Sequence, residues 1–262
     1  MSRLATIIMP LFVPANRPER FAKAAASGAD AVILDLEDAV PADAKDAARA
    51  ALAADFTDLP VLVRVNAPGT PWHERDLEAV ARLPLIGIIV PKAERDADMA
   101  RAAAIHPVLA LIETVKGMAA TRTLAGSGHV ARIAFGSVDY AADLGCAHVR
   151  DALAAARSEL VFASRLAGLP GPLDGVSTDV SNDAAAADDA RHARDLGFTG
   201  KLLIHPRQVQ AIRTAMQSDA AEIDWARRVL ASGDGAVLVD GAMIDEPVRI
   251  HARAILARAS AF

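Results

Sequence analysis

The sequence predicts an α/β protein of the (β/α)₈, or TIM, barrel class with a C-terminal helical lid or arm. The chain has 262 residues, and single barrels of this class typically contain ~250. Eight short apolar segments alternate with helical segments as far as residue 204. Apolar residues make up 53% of the chain and aromatic residues only 4%. A composition dominated by small aliphatic residues is typical of parallel strands that helices cover on both faces.

The eight predicted strands are apolar runs of strand length. They cover residues 6–13, 31–36, 60–65, 87–90, 108–112, 132–136, 173–176 and 201–204. An open, doubly wound sheet is the alternative, but no glycine-rich dinucleotide fingerprint follows the first strand. Eight strands in alternation with helices therefore favour a closed barrel.

The predicted helices fill the intervals between the strands. They cover residues 18–26, 42–54, 72–83, 96–104, 114–124, 151–167 and 183–196. Gly28 and Gly197 follow the first and the last of them, where a glycine commonly ends a helix.

The pattern changes after residue 221, where a further helix, a glycine-rich turn, a short strand and a final helix follow. We therefore predict a catalytic barrel domain over residues 1–221 and a lid or oligomerisation segment over residues 222–262. A segment added to a complete barrel gains stability by packing on another surface, most economically on a second copy of the chain. The expected state is a homo-oligomer, a trimer or hexamer, with Met243 and Ile244 as apolar anchors.

Composition also limits the class of protein. The net charge of −5 and the pI near 5.8 argue against a general nucleic-acid binder, which would be basic. No apolar run reaches the ~18 residues of a membrane span, so no membrane association is expected. The single cysteine, Cys146, excludes an internal disulfide and a cysteine-based zinc site. Together these features favour the cytoplasm.

Acidic residues follow several predicted strands, which is unusual because an unpaired carboxylate is costly to bury. Glu113 and Asp139 follow two consecutive strands, and the second strand ends with Asp35, Glu37 and Asp38. The sites of such barrels lie on the loops after the strands. One interpretation is a shared divalent-cation site on Glu113 and Asp139; the alternative is a set of solvated loop acids.

Two cationic residues also follow strands. Arg64 could neutralise Glu37 or Asp38, or it could bind a substrate carboxylate through two parallel hydrogen bonds. Lys92 could form a Schiff base or serve only as a cation at the barrel mouth.

Several ordered motifs resemble the citrate lyase beta subunit family, within the HpcH/HpaI aldolase/citrate lyase superfamily, which includes malyl-CoA and citramalyl-CoA lyases. The motifs span residues 11–21, 28–40, 64–66, 91–94, 111–114, 135–140, 174–176, 204–206 and 243–247. The chain departs from the family pattern at Ala15, at 137–138 and at 202–203, which concerns the substrate more than the chemistry.

The resemblance implies a Mg²⁺-dependent carbon–carbon lyase. It would cleave or condense a 3-hydroxy-acid CoA thioester, such as malyl-CoA or citramalyl-CoA, by retro-Claisen or retro-aldol chemistry. By the family's motifs, Mg²⁺ would be held by Glu113 and Asp139, and substrate by Arg64 and Glu113. Asp245 matches an acid that reaches a neighbouring subunit's site.

Three questions stay open at this level. Glu37 and Asp38 could orient metal-bound waters or only pair with Arg64. The reaction could instead be hydrolysis of a CoA thioester on the same site. The chain could also be the beta subunit of a citryl-carrier lyase that needs acyl-carrier partners.

Overall fold

The structure, a computed structural model, describes residues 3–260 and confirms the predicted barrel class. Eight parallel strands form one sheet in the order β1 to β8. They are β1 Pro10–Pro14, β2 Ala31–Asp35, β3 Val61–Arg64, β4 Gly87–Val90, β5 Val108–Ile112, β6 Val130–Phe135, β7 Leu173–Asp174 and β8 Gly200–Lys201.

The sheet closes between its first and last strands. Phe12 N donates to Leu203 O at 2.9 Å, Leu203 N donates to Pro10 O at 3.0 Å, and Lys201 N donates to Ile8 O at 2.8 Å. Closure brings the carboxyl ends of all eight strands to one mouth, where the predicted site residues of the barrel should meet.

Helices follow the strands around the barrel. They are α1 Phe21–Ala25, α2 Lys45–Ala50, α3 His73–Val80, α4 Asp96–Ala103, α5 Val115–Gly126, α6 Ser137–Leu144, α7 Arg150–Leu166, α8 Asp183–Leu196 and α9 Gln208–Met216. Single 3-10 turns cover Arg3–Thr6, Pro18–Arg20 and Ala42–Ala44. None of the helices within residues 3–260 combines the length and the apolar character needed to cross a membrane.

The barrel interior is packed with aliphatic side chains rather than open. Its central cluster includes Ile33, Leu62, Ile89, Leu109 and Leu173, each almost fully buried. Leu4 and Ile7 belong to the same cluster, so the N-terminal turn covers the amino end of the barrel.

Three details differ from the sequence prediction. The first strand begins at Pro10 because residues 3–6 form a 3-10 turn, and the eighth strand ends at Lys201 although Leu203 still bridges to Leu11. Helices α6 and α9 were not predicted. The predicted turn after β6 is the first turn of α6, which therefore carries Asp139.

Contacts divide the chain into two compact units, residues 1–212 and 213–262. The second unit contains α10 Ala220–Ala231, β9 Val237–Val239, β10 Ala242–Ile244 and α11 Glu246–Ala259. The two strands pair antiparallel through a turn at Asp240 and Gly241, both with positive φ, the conformation that a two-residue hairpin favours. The functional division predicted at residue 221 stays a prediction.

The second unit has a small apolar core of its own. Ile244 packs there with Ala226, Val229, Ala252 and Ile255. The expectation that Ile244 anchors packing on another chain is therefore wrong, since its side chain is used inside the unit. Met243 and its cross-strand partner Leu238 remain largely exposed.

Candidate active site at the barrel mouth

A cavity of about 470 Å³ opens at the carboxyl ends of the strands; we call it the mouth cavity. Its lining combines the apolar ends of the strands with charged residues that follow them. It is lined by Phe12, Pro14, Asp35, Asp38, Ala39, Arg64, Leu111, Glu113, Phe135, Gly136, Ser137, Val138, Asp139, Val176, Thr178, Leu202 and Ile204. Four of the predicted site residues, Asp38, Arg64, Glu113 and Asp139, thus lie around one space.

Glu113 follows β5 and is only 1% exposed. Its Oε1 accepts a hydrogen bond of 2.9 Å from the backbone N–H of Lys92. Gly136 makes room for it, because a Cβ there would collide with the Glu113 carboxylate. Burial, and after it the negative charge of Glu37, raise the pKa of Glu113 to about 8. The site therefore disfavours the free anion unless positive charge is added.

Lys92 adopts a positive φ of 46°, a conformation that is uncommon for a residue with a side chain. In this conformation its N–H reaches Glu113, and its Nζ lies 2.5 Å from Glu37 Oε1. The lysine is therefore a cation paired with an acid. Burial lowers its pKa, but the hydrogen bond to Glu37 and the negative charges of Glu37 and Glu113 together outweigh burial and raise the pKa. A Schiff-base lysine needs a lowered pKa.

Asp139 lies in the first turn of α6 and lines the mouth cavity. Acidic side chains are favourable at that end of a helix. Its charge contributes to the raised pKa of Glu113, so the two carboxylates are close enough to interact. The predicted pairing of these two acids is therefore present in the geometry, while their role as metal ligands stays a prediction.

Arg64, at the end of β3, is held by Asp35 at the end of β2. Its Nε and Nη2 each donate to one Asp35 oxygen at 2.7 Å. Asp35 is 1% exposed and also accepts from the backbone N–H groups of Glu37 and Ala39. Burial alone would lower the pKa of Arg64, but Asp35 and Glu37 raise it. The main partner of Arg64 is thus Asp35. The sequence had suggested Glu37 or Asp38 as the acid that Arg64 neutralises.

One edge of the Arg64 guanidinium faces the remaining acids. Nη1 lies 2.9 Å from Glu37 Oε2, an ion pair without hydrogen-bond alignment, and 3.6 Å from Asp38. Burial raises the pKa of Glu37 despite the opposing charge of Arg64, whereas Asp38 is largely exposed. The edge formed by Nη1 and Nη2 is the part of Arg64 that a carboxylate could reach.

Asp245 belongs to the second unit and caps a helix there. It is the N-cap of α11, and its side chain accepts from the Val248 N–H at 3.4 Å. A catalytic role for this residue stays a prediction.

Sequence reasoning missed two polar groups beside the mouth cavity. The Ser137 hydroxyl is buried and lies 2.9 Å from His148 Nε2; the unusual residue at 137 was the available signal. Asp174, at the end of β7, is bound by Arg157 at 2.9 Å and Lys201 at 3.2 Å. Only its position at a strand end could have indicated this ion cluster.

The donor chemistry of the mouth fits Mg²⁺. Across the described residues, no group of three or more His, Cys, Asp and Glu side chains is arranged to hold a metal. Glu113 and Asp139, which the family motifs assign to the metal and which line the same cavity, would supply two oxygen ligands. Mg²⁺ is commonly bound in this way, by one or two carboxylates with water and substrate in the other positions. The pKa of Glu113 is raised because its carboxylate is buried without enough positive charge around it.

Residues 9–206 match the model of the HpcH/HpaI aldolase/citrate lyase family. The chain belongs to this family, whose members are enzymes of the aldolase and citrate lyase type. The predicted family and the predicted enzyme class are thereby confirmed.

Individual relatives make the comparison more specific. The chain is 39% identical over 264 residues to a citrate lyase subunit beta-like protein of Mycobacterium tuberculosis, covering 95% of this chain and 94% of that one. It is 34% identical over 268 residues to a (3S)-malyl-CoA thioesterase of Cereibacter sphaeroides, covering 96% and 94%. The structure of CitE from M. tuberculosis with magnesium, acetoacetate and coenzyme A superimposes with a TM-score of 0.89 at 38% identity, covering 98% of this chain and 99% of that chain.

Proposed function

We propose that this chain is a Mg²⁺-dependent carbon–carbon lyase that cleaves, or forms, a 3-hydroxy-acid CoA thioester such as malyl-CoA or citramalyl-CoA. The observation that carries the proposal is the buried Glu113 carboxylate, which lines the mouth cavity near Asp139 and has a pKa raised to about 8. The relative whose structure contains magnesium, acetoacetate and coenzyme A supports it.

Glu113 and Asp139 would hold the metal. Bound Mg²⁺ would act as a Lewis acid toward the carboxylate and hydroxyl oxygens of the substrate. Glu113 would thereby also contact the substrate, as the family resemblance implies. The Lys92 N–H fixes one Glu113 oxygen at 2.9 Å, which leaves the other oxygen for this role.

Arg64 would bind the substrate carboxylate. Asp35 accepts from Nε and from one of the two N–H groups of Nη2. The carboxylate would therefore approach the second N–H of Nη2 together with Nη1, along the edge that these two nitrogens form. The bidentate bond with Asp35 would then orient the guanidinium in advance. Asp38 lines the cavity beside this edge. We assign Asp38 and Glu37 to the catalytic group, where they would orient metal-bound water or adjust the charge around Arg64.

Asp245 would act as the general acid or base at the thioester enolate, supplied by a neighbouring subunit of a homo-oligomer. The exposed Met243 and Leu238 of the hairpin offer an apolar surface for that association. Mixing Asp245→Ala with Glu113→Gln should restore part of the activity that each variant lacks. No recovery in demonstrated hybrid oligomers would show that Asp245 does not act in trans.

Thioester hydrolysis is a second candidate, favoured by the 34% identity to the (3S)-malyl-CoA thioesterase. The same residues would bind the substrate, and water would receive the acyl group. A requirement for an acyl-carrier partner is the third possibility that the family allows.

A panel of 3-hydroxyacyl-CoA substrates, with and without Mg²⁺, tests the proposal, with products identified by mass spectrometry. The lyase should give an acyl-CoA and a keto acid in equal amounts, and only with Mg²⁺. Free CoA with an intact hydroxy acid would establish hydrolysis instead. Activity that appears only with an acyl-carrier protein would establish the carrier-dependent subunit.

A further inference from the structure

The two residues proposed to hold the metal lie on two short stretches of chain that are neighbours in the barrel. Glu113 follows β5 and precedes α5, which begins at Val115. Asp139 lies in the first turn of α6, just after β6. The two stretches, residues 112–115 and 136–143, need a fixed separation if their carboxylates are to share one ion, because Mg²⁺ demands a nearly ideal ligand geometry.

The sheet joins these two stretches at their first residues. The N–H of Gly136 donates to the carbonyl of Ile112 at 2.9 Å, directly after the paired ends of β5 and β6. Gly136 also lies against Glu113, since a Cβ at position 136 would collide with that side chain. The separation of the two backbones is therefore fixed just before Glu113 and Asp139.

Asp143 joins the same two stretches at their last residues. Its carboxylate Oδ2 accepts from the backbone N–H of Val115 at 2.7 Å. Val115 is the first residue of α5, so its N–H has no acceptor within the helix. Asp143 stands one turn after Asp139, and residues four apart share one face of a helix. The bond therefore holds the face of α6 that carries Asp139 against the start of α5, next to Glu113.

The start of α5 is anchored independently of α6. The Thr114 hydroxyl oxygen accepts from the Gly117 N–H at 2.9 Å, and the hydroxyl donates to Glu94 Oε1 at 2.9 Å. Gly117 lets this turn pack on the loop after β4, since a Cβ at position 117 would collide with the carbonyl of Ala93. Because the start of α5 is fixed in this way, the bond from Val115 positions α6 rather than α5.

We propose that Asp143 is a positioning residue for the metal site, whose bond to the Val115 N–H sets the distance between the carboxylates of Glu113 and Asp139. Asp143 and Val115 are both exposed, so the bond should add little to the stability of the barrel. Its contribution lies in the geometry that it gives to the two ligands. This inference rests on the proposed metal-binding role of Glu113 and Asp139.

Removing the bond from either side tests the proposal, by calorimetric titration of the EDTA-treated full chain with Mg²⁺. Asp143→Ala removes the acceptor. Val115→Pro removes the donor and keeps α5, because proline suits the first position of a helix and Thr114 before it is already extended, with ψ of 158°. Each variant should weaken Mg²⁺ binding about tenfold. The double variant should bind no more weakly than either single variant, since both lose the same bond.

Two further variants separate geometry from charge and from stability. Asp143→Asn keeps an oxygen for the Val115 N–H and removes only an exposed, screened charge, so its Mg²⁺ affinity should stay within about threefold of the unaltered chain. Asn182→Ala is the matched control. It removes a similar bond, from the Ala185 N–H to Asn182 at the start of α8, a helix that carries neither metal residue. It should lower the melting temperature about as much as Asp143→Ala and leave Mg²⁺ affinity unchanged.

The outcomes distinguish this inference from the proposed function. If the unaltered chain binds no Mg²⁺, the proposed metal site is wrong and the inference falls with it. If the unaltered chain binds Mg²⁺ and Asp143→Ala and Val115→Pro bind it equally well, Asp143 serves only the fold and the inference alone is overturned. If Asp143→Asn binds as weakly as Asp143→Ala, the charge of Asp143 acts on the ion without the bond, which also overturns the inference.

Discussion

The two ends of the barrel each bury an arginine, and they do so in opposite ways. At the amino end, Arg132 is surrounded by neutral oxygen acceptors. Its donors reach Leu4 O, Ile7 O, Gly171 O and Thr199 Oγ1 at 2.5 to 2.9 Å. Burial lowers its pKa to about 10, and the opposing charge of Asp30 does not outweigh burial. At the mouth, Arg64 is surrounded by carboxylates, and its pKa is raised.

The difference shows what each end does. The amino end satisfies one charge with bonds that tie the N-terminal turn to the barrel, so it is built for stability. The described mouth holds five carboxylates and three cations, Asp35, Glu37, Asp38, Glu113 and Asp139 with Lys45, Arg64 and Lys92. When all are ionised, two negative charges are left over. A divalent cation would neutralise these two charges, so substitutions at the mouth should affect activity. Substitutions at the amino end should affect stability, because they break the bonds of Arg132.

The largest effect on stability is expected from Arg132→Met. Three backbone carbonyls and one hydroxyl would each lose one hydrogen-bond donor inside the barrel, at a cost of about 3 kcal/mol or more. Urea denaturation measures this as a lower midpoint with an unchanged slope. The exposed Arg101→Met is the control and should change nothing measurable. A fully stable Arg132→Met that has lost its activity would contradict the comparison.

At the mouth, Glu113→Gln and Asp139→Asn should each lower activity by about a hundredfold or more, since each removes one of two metal ligands. EDTA should abolish the activity of the unaltered chain. Stability should not fall in Glu113→Gln, because glutamine keeps an oxygen acceptor for the Lys92 N–H and replaces a carboxyl group whose ionised form the site disfavours. Glu74→Gln, on the surface, controls for loss of an acid. Full activity in EDTA with borohydride trapping on Lys92 would instead establish Schiff-base chemistry.

Arg64→Lys should have a smaller effect. Lysine keeps the charge but lacks the planar fork that holds Asp35 and would meet the substrate. The KM for the thioester should rise about threefold to tenfold, with little change in Mg²⁺ affinity. An unchanged KM in steady-state kinetics would mean that Arg64 only balances Asp35 and Glu37.

The last prediction concerns pH dependence and Asp174, whose charge is balanced by Arg157 and Lys201 beside the mouth. Burial would raise the pKa of Asp174, but the charges of Lys201 and Arg157 outweigh it and lower the pKa. A lowered folded-state pKa gives stability that is present above the unfolded-state value, about 3.9, and is lost as the pH falls through the folded-state value. The stability difference between the unaltered chain and Asp174→Asn should therefore be constant near neutral pH and shrink below about pH 4. Urea titrations across that range check it; a difference that persists at the lowest pH would show that the carboxylate charge contributes nothing.

The barrel could be predicted because its strands are separated, buried apolar runs, a signal that is local in the sequence. Helix α6 could not, because its eight residues give little more than two turns of periodicity. Its limits depend on Gly145, which ends it in a left-handed conformation, and on Tyr140 packing against Phe135. The short β8 likewise depends on pairing with β7, and Leu203 just after it depends on a bridge to Leu11 in β1; these partners lie far away in the chain.

The sequence was enough to predict which residues form the site, but not which hydrogen bonds and ion pairs they make with one another. Parallel strands bring their carboxyl ends together, so Glu113, Asp139 and Arg64 could be expected at one mouth. The bond between Arg64 and Asp35 follows from the register of β2 and β3, which places the two residues side by side. Nothing local in the sequence fixes that register. The left-handed conformation of Lys92, which turns its N–H toward Glu113, is also set by the tertiary structure.

Calorimetric titration of the EDTA-treated chain with Mg²⁺, without substrate, tests the central claim most directly. The surplus of acid at the mouth predicts one Mg²⁺ per chain, with binding removed or severely weakened in both Glu113→Gln and Asp139→Asn and retained in Glu74→Gln. Mg²⁺ that binds both mouth variants as tightly as the unaltered chain would contradict the claim, because the two carboxylates would then not hold the metal.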